Sequence, residues 1–170
     1  ALLDVHTIKK EIDKLDGIQV SLVGDLKYGR TVHALVELLS LYDIGLRLVS
    51  PASLKMPADM VSNLKEKGVE VIETGNLAEA AADSDLLYVT RIQKERFSDV
   101  AEYEKLKGAY VVDNAMLQRA KEGIVIMHPL PRVDEIAVEV DSYKGAAYFR
   151  QVRNGVFVRM ALLALALGIK

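Results

Sequence analysis

The sequence contains no cysteine. A disulfide framework and a thiolate metal site are therefore both excluded, and the lack of disulfides is compatible with a reducing cytosol. The formal net charge is only -2, so no basic field favours nucleic acid as a partner. The most apolar stretch, MALLALALGI at 160–169, is shorter than the roughly 20 residues that span a bilayer. We expect a soluble, cytoplasmic protein without nucleic-acid or membrane partners.

The 170 residues are close to the size of one domain, and a core of that size can be stable alone. The opening ALLDVHTIKKEIDKLDG becomes charged within a few residues, which argues against a secretory signal peptide. Apolar residues recur every three or four positions from Val5 to Leu15, which predicts an amphipathic helix ending at Asp16 and Gly17. Because no capping residue precedes this helix, we interpret the sequence as part of a longer polypeptide.

Short apolar runs alternate with helical patterns along the chain. The strand-like runs lie at 18–24, 45–50, 69–75, 85–90, 109–113 and 123–128. Helical patterns lie between them, at 31–42, 57–68, 76–84 and 114–123. This alternation is typical of βαβ units and predicts an α/β fold, with a three-layer, doubly wound and mostly parallel Rossmann-like sheet. In such sheets, ligands bind at the carboxyl ends of the strands.

The last segment is nearly apolar on every side between Met160 and Leu167. A helix of that composition requires burial on every side, and one sheet can cover only one flank of a terminal helix. We therefore expect the first and last helices, at 1–16 and 155–170, to pack against a partner domain that this sequence lacks. Burial of the last helix in the chain's own core is the alternative.

The segment GDLKYGRTVH follows the first strand. Its two glycines permit tight backbone geometry, and Thr31 is a candidate cap for the next helix. Arg30 is then expected at a helix N-terminus, where amide groups and the helix dipole favour an anion. The segment matches neither a GxGxxG fingerprint nor a P-loop, so a nucleotide site has little support. An ordinary surface arginine is the alternative for Arg30.

The segment TRIQKER at 90–96 follows a later strand. Arg91 carries a planar fork that fits a carboxylate, and Gln93 lies on the same side of an extended chain. A solvated run of charges is the alternative.

The segment MHPLPRVDEI at 127–136 also follows a strand. Its prolines remove N–H donors, which leaves backbone carbonyls free to accept from a ligand amine. Residues before proline avoid the helical region, so we expect His128 and Leu130 to be extended, and an X-Pro bond at a tight turn is a candidate cis peptide. We favour a structural role for His128 over a general base. The scattered His6, His33 and His128 do not predict a metal site.

Taken together, the arginines predict a small polyanion at the strand ends, and the free carbonyls predict an amine beside it. An amino acid with an additional carboxylate satisfies both. Four segments, GDLKYGRTVH, YVTRIQKER, HPLPRVDEI and YFRQVRNGVFVRMALLAL, resemble in order and spacing the aspartate-binding half of the aspartate carbamoyltransferase family. Because the resemblance covers essentially the whole chain, it implies a single aspartate-binding domain at 1–170.

The resemblance implies part of an enzyme that transfers a carbamoyl group from carbamoyl phosphate to the amine of L-aspartate in de novo pyrimidine biosynthesis. It implies no cofactor and no catalytic metal. It also implies a preceding carbamoyl-phosphate domain and a homotrimer of catalytic chains, while regulatory subunits or fusion to a larger polypeptide stay open. The phosphate-binding and histidine motifs of that preceding domain are not in this sequence, so we expect the chain alone to be inactive.

By this resemblance, five residues would bind the substrate: Arg30, Arg91, Gln93, Pro129 and Leu130. The arginines would bind the two aspartate carboxylates with the glutamine assisting, and the backbone carbonyls of the other two would orient the amine or the carbamoyl group. A second set would support the site: Lys27, Tyr28, Thr31, Arg96, His128, Pro131 and Arg132. Lys27 and Tyr28 would join a loop contact during domain closure, Arg96 would tie the two domains together, and a cis bond before Pro131 would shape the turn.

Two further functions stay open. An ornithine carbamoyltransferase carries cysteine where Pro129 stands and binds a cationic side chain, whereas Pro129 and the paired Arg30 and Arg91 favour a dicarboxylic substrate. A non-enzymatic assembly or regulatory module is the other alternative, because binding residues persist in a severed domain.

Overall fold

Five apolar runs form one parallel sheet in the computed structural model, which describes residues 1–92, 100–106 and 108–169. The strands are β1 (Ile18–Val23), β2 (Ile44–Val49), β3 (Glu70–Thr74), β4 (Leu86–Val89) and β5 (Val125–Met127). They lie in the order β3-β2-β1-β4-β5, and every neighbouring pair is parallel. Parallel strands covered on both faces read as continuous apolar runs, which is why the sequence predicted them.

Helices cover both faces of this sheet. In the described part of the chain they are α1 (Leu2–Ile12), α2 (Arg30–Leu39), α3 (Ala58–Glu66), α4 (Leu77–Asp83), α5 (Val100–Leu106), α6 (Asn114–Leu117) and α7 (Tyr148–Ala166). Short 3-10 helices lie at Ala52–Leu54 and Val138–Ser142. Helices α1, α2 and α3 contribute to one buried cluster, whereas α4 and α6 contribute to a second cluster. Since alternate residues of the strands enter the two clusters, the predicted three-layer α/β architecture is confirmed.

The apolar run at 109–113 is not a strand of the sheet, contrary to the prediction. Val112 forms an isolated bridge with Ile136, held by hydrogen bonds from Val112 N–H to the Glu135 carbonyl (3.0 Å) and from Ala137 N–H to the Val112 carbonyl (2.9 Å). Val112 is fully buried while its immediate neighbours are partly exposed. The run therefore places one apolar side chain in the core, and its hydrophobicity reflects burial without sheet pairing.

Helices α1 and α7 pack against each other through a polar seam. The Gln151 amide donates to the Asp4 carboxylate at 2.7 Å, and the Asn154 amide donates to the Thr7 hydroxyl at 3.1 Å. All four side chains are buried. Buried polar groups that satisfy one another fix a unique register, so α1 and the first half of α7 form one unit.

The second half of α7 is exposed. Met160 is 61% accessible, Leu163 63% and Leu165 74%, so the alternative of burial in the chain's own core is wrong. The helix also begins at Tyr148, earlier than its apolar pattern predicted. No helix in the described part of the chain is long and apolar enough to cross a bilayer.

The strand order opens a crevice beside β1. The chain moves outward from β1 through β2 to β3 and then returns to the other side of β1 as β4. The connections that leave β1 and β4 therefore diverge, and parallel α/β sheets bind ligands at such a switch point.

Candidate functional site

A cleft of about 210 Å³ lies at the carboxyl ends of β1, β4 and β5. Its lining comes from the three segments that follow these strands: Asp25, Gly29, Thr31, Thr90, Arg91, His128, Pro129, Leu130 and Pro131. Because parallel strands present their carboxyl ends at one edge, segments far apart in sequence meet there. Six of these lining residues were named from the sequence: Thr31, Arg91, His128, Pro129, Leu130 and Pro131.

The loop after β1 is held in place by its own polar groups. The Asp25 carboxylate accepts the N–H of Tyr28 at 2.9 Å, and the Asp25 N–H donates to the Thr90 hydroxyl at 3.1 Å. Further along, Nε2 of His33 lies 2.8 Å from the Leu26 carbonyl. These contacts tie the loop to β4 and to α2, so they fix where α2 begins.

Arg30 is the first residue of α2, as predicted. It is exposed, and nothing in the described part of the chain forms a hydrogen bond or ion pair with its guanidinium. Its neighbours Gly29 and Thr31 line the cleft, which puts Arg30 at the rim. Thr31 does not cap α2 as predicted, because the helix begins one residue earlier and Gly29 takes the cap position. Without a side-chain cap, amide groups of the first turn stay available to an anion.

Arg91 follows β4, is half-buried and lines the cleft. Thr90 holds its backbone in position, since the Thr90 N–H and hydroxyl both donate to the Val23 carbonyl, at 2.8 and 2.9 Å. Two candidate residues of the same segment, Gln93 and Arg96, lie outside the described residues.

The turn after β5 contains the cis peptide between Leu130 and Pro131 that the resemblance implies. Leu130 is not extended as predicted, because its φ is 50°. That left-handed conformation costs a residue with a Cβ roughly 1–2 kcal/mol, and a hydrogen bond from Leu130 N–H to Nδ1 of His128, at 2.8 Å, holds it. Within the described ranges, the carbonyls of Pro129 and Leu130 accept no hydrogen bond. They are therefore free to accept from a ligand.

His128 is only 1% exposed, and both of its ring nitrogens are engaged. Nδ1 accepts from Leu130, so the proton resides on Nε2, which donates to the Glu135 carboxylate at 2.7 Å. The other Glu135 oxygen accepts the N–H groups of Val133 and Asp134, at 3.2 and 3.1 Å. The imidazole has no lone pair left for a substrate, which supports a structural role over a general base.

The pKa of Glu135 reflects these contacts. Burial would raise the pKa of its carboxyl group, but hydrogen bonds from His128 and from loop amides more than offset that effect and lower the pKa below its ordinary value. Hydrogen bonds to the charged form of a carboxyl group act in this direction.

We expect Glu135→Gln to destabilise the chain most at neutral pH. The folded-state pKa of Glu135 lies below its unfolded value, so its contribution is complete above an unfolded pKa of about 4.3 and is lost as the pH falls through the folded pKa. The loss in free energy of unfolding, measured by urea denaturation, should therefore shrink between about pH 7 and about pH 3. Asp134→Asn, at the exposed neighbouring carboxylate, is the control. A loss that stays constant over this range would contradict the assignment.

The remaining supporting residues lie outside the cleft lining. Arg132 binds both carboxylate oxygens of Asp141, reaches the Tyr148 hydroxyl at 3.1 Å and stacks 5.3 Å from that ring. The hydrogen bonds with Asp141 raise the pKa of Arg132. The contacts of Arg132 with Tyr148 tie the turn to the start of α7. Nζ of Lys27 lies 5.1 Å from the Tyr28 ring on the loop after β1.

Three polar residues of the site were not predicted. Asp25 had a local signal, since an aspartate just after a strand and three residues before the amide of Tyr28 is typical of a side-chain-capped turn. Thr90 ends an apolar run and gave no signal of its own. Glu135 lies seven residues from His128, and only the folded loop brings their side chains together. Across residues 1–92, 100–106 and 108–169, no group of three or more acidic or histidine side chains is placed to hold a metal ion.

Residues 16–166 match the family model of the Asp/Orn binding domain of aspartate/ornithine carbamoyltransferase. The chain belongs to this carbamoyltransferase family. It is 58% identical over 168 residues to the aspartate carbamoyltransferase catalytic subunit of Thermococcus kodakarensis, a match that covers 99% of this chain and 54% of the relative. The chain thus spans about half the length of such carbamoyltransferase catalytic subunits.

Solved carbamoyltransferase structures share the fold. The catalytic subunit of the M. jannaschii aspartate transcarbamoylase superposes with a TM-score of 0.89 at 50% identity, covering 95% of this chain and 53% of that one. The Trypanosoma cruzi aspartate transcarbamoylase in complex with carbamoyl phosphate and aspartate superposes with a TM-score of 0.88 at 45% identity, covering 95% and 54%. The resemblance drawn from the four sequence segments is confirmed.

Proposed function

We propose that this chain is the aspartate-binding half of an aspartate carbamoyltransferase catalytic chain. The complete chain would transfer a carbamoyl group from carbamoyl phosphate to the amine of L-aspartate in pyrimidine biosynthesis. The observation that carries the proposal is the cleft, where Arg91 and the rim residue Arg30 share one sheet edge with the free carbonyls of Pro129 and Leu130. Two cations beside two backbone acceptors suit an amino acid with two carboxylates.

In this proposal, each arginine binds one aspartate carboxylate through its planar fork, with Gln93 assisting. The backbone carbonyls accept hydrogen bonds from the amine and orient it. The neutral amine attacks the carbamoyl carbon and the new C–N bond forms. The C–O bond to phosphate breaks, and the amine gives up one proton to the departing phosphate. Catalysis then rests on positioning and on electrostatic stabilisation, which closure of the cleft strengthens by excluding water.

The carbamoyl-phosphate site would come from the other half of the catalytic chain. The chain covers about half of its relatives, and the T. cruzi relative is described with both carbamoyl phosphate and aspartate bound. The exposed apolar half of α7, together with α1, would be the surface that contacts this other half, with Arg96, Lys27 and Tyr28 joining contacts on closure. We extend the proposal to a cytoplasmic homotrimer, alone, with regulatory subunits or within a larger fused polypeptide.

We expect the purified chain to bind L-aspartate and succinate weakly and ornithine not at all. The two arginines attract carboxylates, whereas the side-chain ammonium of ornithine would meet charges of its own sign. Isothermal titration calorimetry with the three compounds measures this difference. Binding of ornithine without any response to succinate would instead favour an ornithine carbamoyltransferase.

The activity of the chain by itself supplies the control. A colorimetric assay for carbamoyl aspartate should detect negligible turnover, since the proposal assigns carbamoyl phosphate to the other half. Turnover should appear when that half is supplied. If it does not, although succinate binds, the assembly or regulatory module becomes the better function.

A further inference from the structure

We infer that His128 and Glu135 form a positioning pair that directs the Pro129 carbonyl into the cleft. Neither side chain has to touch the substrate. The inference rests on the proposed function, because it gives that carbonyl the task of receiving the aspartate amine. It adds a reason why a buried, hydrogen-bonded histidine–carboxylate pair lies directly beneath a turn that itself lines the cleft.

The first step is the geometry of one peptide group. The carbonyl of Pro129 and the N–H of Leu130 belong to the same trans peptide, so they point in opposite directions. The N–H points to Nδ1 of the buried His128 at 2.8 Å. The carbonyl must therefore point away from the imidazole, on the exposed side where Pro129 lines the cleft.

The second step is the conformation of Leu130. Its φ of 50° is the rotation about the N–Cα bond and sets how the plane of that peptide, with the Pro129 carbonyl in it, is turned relative to the rest of Leu130. A leucine released from its hydrogen bond would relax towards negative φ, where residues with a Cβ are stable. Such a relaxation would rotate the Pro129 carbonyl out of its present direction. A strained residue of this kind persists only where its surroundings hold it.

The third step is the tautomer of His128. Nδ1 can accept from Leu130 only while the ring proton resides on Nε2, and the Glu135 carboxylate, 2.7 Å from Nε2, selects that tautomer. Glu135 is itself held by the amides of Val133 and Asp134. Glu135 thus acts on the Pro129 carbonyl through the ring.

The fourth step is the anchor of the histidine itself. The His128 N–H donates to Oε1 of Gln151 at 3.0 Å, and the Gln151 amide donates to Asp4 at 2.7 Å. These hydrogen bonds therefore hold the direction of the Pro129 carbonyl fixed relative to α7 and α1, the two helices that form one unit. A purely local turn would have no such connection.

Two substitutions at His128 separate positioning from plain stabilisation. His128→Asn retains an oxygen near the place of Nδ1, so it can still accept from Leu130, but it no longer reaches Glu135. His128→Gln retains a donor near the place of Nε2 for Glu135, but it leaves the Leu130 N–H without an acceptor. Each variant thus keeps one half of the pair's contacts.

The test uses the complete polypeptide and compares thermal stability with steady-state kinetics at saturating carbamoyl phosphate. His128→Gln should be the more stable variant, since the buried Glu135 keeps its donor. It should nevertheless show a rise in KM for aspartate of roughly tenfold or more, while His128→Asn stays within about threefold of the parent. The KM for carbamoyl phosphate, measured separately at saturating aspartate, should be unchanged in both variants. Opposite rank orders in stability and in aspartate KM would support the positioning pair.

An aspartate KM that follows the stability order would overturn the inference and leave His128 with a structural role alone. A parent protein without aspartate-dependent turnover would overturn the proposed function, and the inference with it. Selective 15N-histidine labelling of the parent gives a reading that needs no variant to fold. The imidazole shifts of His128 should report the Nε2–H tautomer, and an Nδ1–H tautomer would overturn the inference.

Discussion

Arg30→Ala is expected to lower kcat/KM for aspartate by about 100-fold or more in the complete enzyme. In the proposed complex, the guanidinium pairs with a substrate carboxylate that closure removes from water. A desolvated charge left without its partner costs roughly 3 kcal/mol or more, and each 1.4 kcal/mol is about tenfold in affinity. Arg30→Lys should recover part of the loss, because lysine keeps the charge but cannot bind both carboxylate oxygens in one plane.

The position of Arg30 makes this loss specific to binding. The side chain is exposed and has no partner within the described chain, so its removal should leave the urea midpoint unchanged. Arg119→Ala, at another exposed arginine that does not line the cleft, is the matched control. If Arg30→Ala affects kcat/KM no more than Arg119→Ala does, Arg30 is an ordinary surface arginine.

Gly24→Ala is expected to have the largest effect on stability, about 3 kcal/mol or more in the free energy of unfolding. Gly24 has a φ of 112°, and a Cβ added there would overlap the Thr90 carbonyl oxygen and lie 2.7 Å from its Oγ1. These atoms belong to the backbone and to a hydroxyl that is hydrogen-bonded to Val23 and Asp25, so none of them can move aside easily. The methyl group would separate the ends of β1 and β4.

Gly68→Ala is the matched control for Gly24→Ala. Gly68 also has positive φ, at 85°, but a Cβ there would meet nothing within 4 Å. The Gly68→Ala substitution should therefore lower the free energy of unfolding only by the conformational strain, about 1 kcal/mol. Urea denaturation gives both values, and the difference isolates the overlap with Thr90. Equal losses in the two variants would contradict the close approach of Gly24 to β4.

Gly24→Ala should also weaken aspartate binding. Arg91 follows Thr90 directly and Arg30 lies on the loop that Gly24 begins, so moving the two strand ends apart changes the distance between the arginines. Catalytic and binding groups misplaced by about 1 Å lose much of their effect. Gly68 lies just before the amino end of β3, at the opposite end of the strands from the cleft, so Gly68→Ala should leave binding unchanged.

The sequence was sufficient to predict most of the fold because parallel strands are marked by continuous burial. Five of the six apolar runs are strands, and the carboxyl ends of three of them, β1, β4 and β5, carry the residues that the sequence selected. The exception, at 109–113, shows the limit of this signal. A single buried residue such as Val112 makes a short run look like a strand, and only the tertiary structure decides whether its backbone pairs.

The details of the site were less predictable because they depend on side chains distant in sequence. The rule for residues before proline predicted an extended Leu130, but a hydrogen bond to the preceding histidine ring overrides it. The imidazole is in turn held by Glu135, which no local pattern connects to it. Thr31 looked like a cap because threonine favours that position, yet Gly29 is the cap and the helix begins at Arg30. Local preferences of about 1 kcal/mol yield to such contacts.

The strand order also has a consequence for how the chain folds. The central strand β1 pairs Val20 with Leu86, a residue made much later in synthesis. The entropy of closing so long a segment must be met before that pairing contributes, which makes sheets of this kind slow to form. Until β4 emerges, one edge of β1 is open to other chains. A growing polypeptide is therefore most vulnerable to misassociation before β4 has emerged. The binding cleft, which needs the segments that follow β4 and β5, is still incomplete at that stage.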